Sequence, residues 1–438
     1  MAHMIRRIRT LAVAGLVSAG VLMLYSPPGG AQGSAPRYVF DPAWPKPLPN
    51  EWKIGGVTGL AVAPDDTVWA YDRPNDLTNI ELEAEIGIAD CCKLPPSMLH
   101  FDMDGKLIGS FNAPQGHGMD VDSKGFAYLG QNTVRKYDTR TGMLVGEIAH
   151  TPELENGGRF NAPQIPQHTM GVGSAGPVAG FVPPPAGAEG RGGRGGRGAQ
   201  DPAAQAAARE AFRKKYPPTT PMIVGGIEEI RLDEPASEIY VADNYLGGRV
   251  MVFDMNTLAF KRGWGAYGHK LAEISTNEAD HEYKPKGPMA KEFVGHLTFN
   301  FSNDGMVYAA DRNGNRIHVT DKQGNFKKEF LLAEYTGVGG STGGVAFSPD
   351  KAQRYLYISD LTNNHVWFLN REDGKVMGTL GSMGENGGQF FGLHMIAVDS
   401  HGIIYTGEVF AGERVQRFVP ADSPRGKLLQ QAATARPY

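Results

Sequence analysis

Only two cysteines occur in the 438 residues, and they are adjacent, Cys91 and Cys92. A disulfide framework is therefore excluded. In an oxidising compartment the pair can close on itself as a vicinal ring that stiffens the turn before Pro95 and Pro96, or stand as two thiols packed in a loop. Runs of Lys and Arg are missing outside one loop, and the net charge is -4, so the chain lacks the electrostatic footprint of a nucleic-acid binder. The apolar run Leu11 to Leu24 is short for a membrane span. It follows Arg6, Arg7 and Arg9 and precedes Ser26-Pro27-Pro28-Gly29-Gly30-Ala31, the order of a signal peptide over 1–31 cleaved before Gln32. Export to the periplasm or outside the cell is expected, with an uncleaved anchor as the alternative. Arg6-Arg7 leaves the Sec and twin-arginine routes both open.

Glycine and proline, by contrast, are plentiful at 58 and 30, as in chains built of many short strands and turns. Internal similarity explains the abundance. Residues 59–73 read GLAVAPDDTVWAYDR, and comparable units recur at 118–138, 229–254, 297–321, 344–370 and 395–419. In each, an alternating strand meets an Asp-Gly or similar turn, a β-branched or aromatic strand follows, and a third strand ends near Asp or an aromatic. Segments such as NFKKEFLL supply a fourth strand. Six such units predict an all-β, six-bladed propeller over 37–420, closed by pairing of Tyr38-Val39-Phe40 with the last blade. Two long insertions break the period. Residues 74–97 carry an acidic run, and 170–222 hold Pro183-Pro184-Pro185 and RGGRGGRG, a composition too poor in apolar surface to order itself. The segment AAQAAAREAFRKKY at the end of the second predicts a short helix. Residues 421–438 form a tail.

Three of the twelve histidines, His117, His296 and His394, sit at one position in their repeats, each at the start of an innermost strand. Side chains there converge on the propeller axis, and three imidazoles at one point make an open metal site with a position left for water or substrate. Zinc suits neutral imidazole, with iron, copper and manganese open. His318, His365 and His401 read as histidines hydrogen-bonded to neighbouring turns. One strand later, Arg73, Tyr245 and Arg312 leave the chain at similar heights. Guanidinium groups there can clamp a carboxylate, and a tyrosine beside a cation suits general-base work. Arg249, Arg316 and Arg414 read as turn residues.

These blades resemble NHL repeats, and the site resembles that of peptidyl-α-hydroxyglycine α-amidating lyase, over roughly residues 54–420. The resemblance implies zinc on His117, His296 and His394, with Arg73, Arg312 and Tyr245 as catalytic residues. It implies a reaction in which Tyr245 takes the proton of a carbinolamide hydroxyl, the C–N bond breaks, and the two arginines hold the carboxylate. The family's Asp after its third histidine, which helps bind a structural Ca2+, is Met395 here, so calcium is not carried over. The family's disulfides are also missing.

The expected activity is an exported metal-dependent lyase that cleaves a C–N or C–O bond of a small or peptide-like α-hydroxy acid derivative bearing a carboxylate, as a monomer, with no nucleic acid and no membrane attachment after signal cleavage. A lactonase-like metal-dependent hydrolase is the alternative, since Asp311, Asp360 and Glu408 lie near enough in the repeats to offer a mixed shell. A non-catalytic propeller that binds a protein or glycan is the reading from another class.

Overall fold

The computed structural model describes residues 35–74, 92–152, 202–244, 246–337, 339–409 and 412–434. The expected leader over 1–31, most of both insertions, Cys91 and Tyr245 lie outside them. Cys92 is disulfide-bonded.

Among the described residues twenty-four strands form six four-stranded antiparallel sheets. The innermost strands are Gly56–Val62, Met119–Val121, Ile227–Asp233, Leu297–Phe301, Val345–Phe347 and Leu393–Val398. Each begins a meander, so the six-bladed propeller read from the repeats is the fold. Five blades are sequential. The sixth takes its outermost strand, Tyr38–Phe40, from the other end of the chain, in register Tyr38 with Pro420 and Phe40 with Phe418. Asp41, fully buried, fastens this seam by accepting from Arg417 at 2.6 Å and Arg425 at 2.6 Å. Arg425 sits in the helix Pro424–Thr434, which occupies the region expected to be tail. A second helix, Pro202–Lys215, forms where the alanine-rich end of the insertion predicts one.

Each sheet is apolar on both faces because it packs between two neighbours, and the core is a set of wedges between blades. Between the first two, for example, Trp69, Tyr71 and Met98 meet Met119, Val121 and Leu129. One buried aromatic recurs in every second strand, three residues before Asp72, Gln131, Asp243, Asp311, Asp360 and Glu408 in turn: Trp69, Tyr128, Tyr240, Tyr308, Tyr357 and Tyr405.

Arg249, Arg316 and Arg414 differ from the expectation of plain turn residues. Arg249 and Arg316 are fully buried and pair with Asp243 at 2.8 Å and Asp311 at 2.9 Å, and Arg414 pairs with Glu408 at 2.7 Å. Each staples the end of the second strand to the start of the third. Asp311 and Asp243 also accept backbone N–H groups from the incoming connection, at Val294 and Gly295 and at Val224 and Gly225. Asp360 accepts from Asn363 and Trp367. Asp311, Asp360 and Glu408 are thus occupied in holding blades together.

Candidate metal centre

Three of the innermost strands carry a β-bulge near their first residues. The pairing slips by one residue between Val57 and Gly59, Ile227 and Ile230, and Leu393 and Met395. A bulge re-aims the side chains it carries. Counting from the paired strand, Thr58, His117, Glu228 and His394 occupy one position in their blades. Blade four has no bulge, so Leu297 holds that position and His296 stands one residue earlier. His296 reaches the centre through its own backbone, which is left-handed at φ 54, a conformation that few residues other than glycine adopt, histidine among the more tolerant.

His117, Glu228 and His394 come together with ligand atoms all within 4.8 Å of one another. His117 Nε2 lies 3.1 Å from His394 Nε2 and 3.6 Å from Glu228 Oε1. Ligands bound at 2.0–2.1 Å around a tetrahedral cation stand about 3.3 Å apart, so the spacing suits one ion between them. The ring orientations agree. His117 Nδ1 is 2.7 Å from the Glu228 backbone carbonyl, which can only accept, so Nδ1 carries the proton and a neutral ring presents its Nε2 lone pair to the cluster. His296 Nδ1 donates to Glu228 Oε1 at 2.8 Å in the same way. Glu228 therefore orients two imidazoles, one through its main chain and one through its carboxylate, as the outer partners of metal-bound histidines do. His394 Nε2 faces both His117 and Arg312 Nη1, the latter at 3.4 Å. His394 Nδ1 is buried with no partner among the described residues.

Electrostatics favour the forms a cation needs. Burial, reinforced by Arg73 and opposed by Glu228, lowers the His117 pKa to about 4. Burial, with His117 and Arg312, holds that of His394 well below the usual range. Both rings are neutral at pH 7. Burial raises Glu228, but the adjacent His117 and His296 rings, the hydrogen bond from His296 and the Arg312 guanidinium outweigh it and keep the carboxyl well below the usual range. Asn244 Nδ2 supports the other oxygen at 3.2 Å. The neutral imidazoles of His117 and His394 with the Glu228 carboxylate make a donor set that fits a divalent transition cation, and His296 stands next to this group rather than in it.

Both predicted arginines border this cluster. Arg73 ends the strand Val68–Arg73 and donates from Nε to Gly116 O at 3.0 Å, beside His117. Arg312 follows the strand Met306–Asp311 and is buried against His394. Tyr245 lies outside the described residues, directly after Asn244. The sequence reading missed Glu228 and Asn244. The signal for Glu228 was the pair Glu228-Glu229 at the head of an inner strand, where a blade otherwise starts with small or apolar residues. His318 does hydrogen-bond Glu329, at 3.0 Å, and His365 hydrogen-bonds the backbone of Asn363 in the preceding turn while its ring packs edge-on against Trp367.

No family model matches the chain, and no curated protein does. Among solved structures it is similar to a structural-genomics protein of unknown function from Bacteroides thetaiotaomicron, 14% identical over 84% of this chain and 70% of that one, with a TM-score of 0.46. It is similar to virginiamycin B lyase from Staphylococcus aureus, 10% identical over 84% and 86% of the two chains, TM-score 0.41. A catalytically inactive histidine-to-alanine variant of that lyase with quinupristin gives 10%, 88% and 89%, and 0.40.

Proposed function

We propose that this propeller is a metal-dependent lyase that cleaves the C–N bond of an α-hydroxy acid derivative at the centre formed by His117, His296, His394 and Glu228. The observation that carries the reading is the convergence of the His117 and His394 Nε2 atoms at 3.1 Å beside a buried carboxylate, with Arg73 and Arg312 on the rim. The cation, zinc by the preference of imidazole, would supply Lewis acidity toward the substrate hydroxyl. Arg312 and Arg73 hold the substrate carboxylate and offset negative charge that grows as the hydroxyl proton leaves. Tyr245 takes that proton. The electron pair left on oxygen then forms the carbonyl, the C–N bond breaks with its pair going to nitrogen, and the nitrogen takes the proton back from Tyr245, giving an amide and a glyoxylate-type acid. Burial of the cluster excludes bulk water, which strengthens each of these interactions.

Metal analysis of protein purified without chelators, followed by glyoxylate release from an N-acyl-α-hydroxyglycine, tests the proposal. Stoichiometric metal and turnover lost in His394→Ala are expected. Turnover without metal, or metal without turnover, overturns the lyase reading.

Glu228 favours a second reading. Two histidines and a glutamate are the ligand set of hydrolytic zinc sites that activate water. Hydrolysis of a lactone or ester by the metal-loaded protein, with no release of glyoxylate, selects it.

A further inference from the structure

A cleft of about 360 Å³ opens against the segments that flank His296 and Arg312, within the range of small-molecule sites. Val294 and Asn313 line it, and both belong to segments that carry site residues. Asn313 N donates to Gly295 O at 3.2 Å, and Arg312 N to His296 O at 3.4 Å. One hydrogen-bonded pair of segments thus serves both the histidine cluster and the cleft.

The facing walls come from outside the blades. Arg209 and Arg213, on the helix Pro202–Lys215, contribute one wall, and the turn Glu278–His281 with Lys284 contributes another. Glu278 joins them, accepting from Arg209 Nη1 at 2.6 Å on one oxygen and from Arg213 Nη1 on the other. Arg213 is buried, 3% exposed, and acts as the anchor. The Arg209 side chain is 42% exposed and spends one N–H on Glu278. Two guanidinium groups on one carboxylate leave one positive charge uncompensated. Lys284 and Glu282, which also line the cleft, offset each other.

We infer that the cleft is a second subsite that takes an anionic group remote from the reacting carbon, a carboxylate several bonds away, and that Arg209 sets this preference. The inference rests on the proposed lyase for the reacting end of the substrate, but the cleft itself is testable without it. A guanidinium already held by one carboxylate is pre-oriented for a second, and its planar donors favour carboxylates over neutral groups. The insertion helix would then be the part of the chain that sets substrate choice, as loops on rigid scaffolds do.

Calorimetry with two unreactive pairs tests this: N-succinylglycine against N-butyrylglycine, and glutarate against neutral glutaramide. In wild type the more negatively charged member of each pair should bind about tenfold tighter. Arg209→Gln should remove the preference while leaving metal content unchanged, and Arg209→Lys should retain part of it. Glutarate binding should survive His394→Ala. If glutarate fails to bind, or binds Arg209→Gln as well as wild type, the subsite is overturned. If both acylglycines fail to bind wild type while glutarate binds with its dependence on Arg209 intact, the subsite stands and the proposed reaction falls.

Discussion

Glu228 and His117 meet twice: the Glu228 carbonyl accepts from Nδ1 at 2.7 Å while its carboxylate stands 3.6 Å from Nε2 of the same ring. Glu228→Gln keeps the first contact and removes the charge from the second. Glu228 stands among the ligands and also orients His117 and His296, and since loss of an outer partner alone weakens metal affinity by about 10–100-fold, the variant should lose at least that much. Competition with a chromophoric chelator should show that loss, with the thermal transition of the apo protein little changed.

The neutral rings make stability depend on pH in a definable window. The unfolded His117 titrates near 6.5 and the folded one at about 4, so between these values the unfolded state binds more protons and acid favours unfolding. Stability should be highest above pH 6.5 and fall as the pH is lowered toward 4, by on the order of 3 kcal/mol for this residue. Urea unfolding of metal-free protein at pH 7 and pH 5 reads the change. His117→Gln should flatten the part that belongs to His117.

Gly118 has φ 75, and a Cβ there would lie 2.8 Å from Glu228 O, the atom that orients His117. Gly118→Ala should destabilise the protein by about 1–3 kcal/mol through left-handed strain and overpacking. Because the clash falls on the oriented carbonyl, metal affinity should drop as well, and equilibrium dialysis separates the two effects.

His296 is the complementary case, a side chain at φ 54. Both His296→Ala and His296→Gly remove the imidazole and should abolish turnover. The glycine variant should be the more stable of the two by about 1 kcal/mol, because alanine retains the left-handed penalty. Thermal melts of the metal-free variants decide it.

Arg312→Lys keeps a cation near His394 but not the planar fork. A fall in kcat of about 10²-fold or more, the scale of one lost transition-state donor, is expected for the lyase reaction with metal content unchanged. A rise in KM alone would assign Arg312 to ground-state binding.

The blades were legible because turn chemistry and period-two patterning repeat six times, and even the closing strand could be read from Tyr38-Val39-Phe40. His117, His394 and the two arginines were legible because each sits at a repeat-equivalent place. Glu228 was not, since its role depends on a one-residue bulge that brings a strand-leading glutamate level with His117 and His394, and bulges leave little mark in composition. The missing bulge in blade four likewise moved His296 one residue off the position it was assigned. Arg249, Arg316 and Arg414 look like turn residues until the acid at the end of the preceding strand is seen to face them.

The seam between Tyr38–Phe40 and Val415–Pro420 gives the ring a direction in time. Neither end of the chain can complete the sixth blade without the other, so a chain emerging from its N-terminus leaves that first strand waiting until nearly the last residues arrive. Bringing two such distant segments together carries a large loop-closure entropy and makes for slow folding. A circular permutant that joins the natural ends and reopens the chain between two other blades would turn this late clasp into a local hairpin, and should refold faster with the same metal centre.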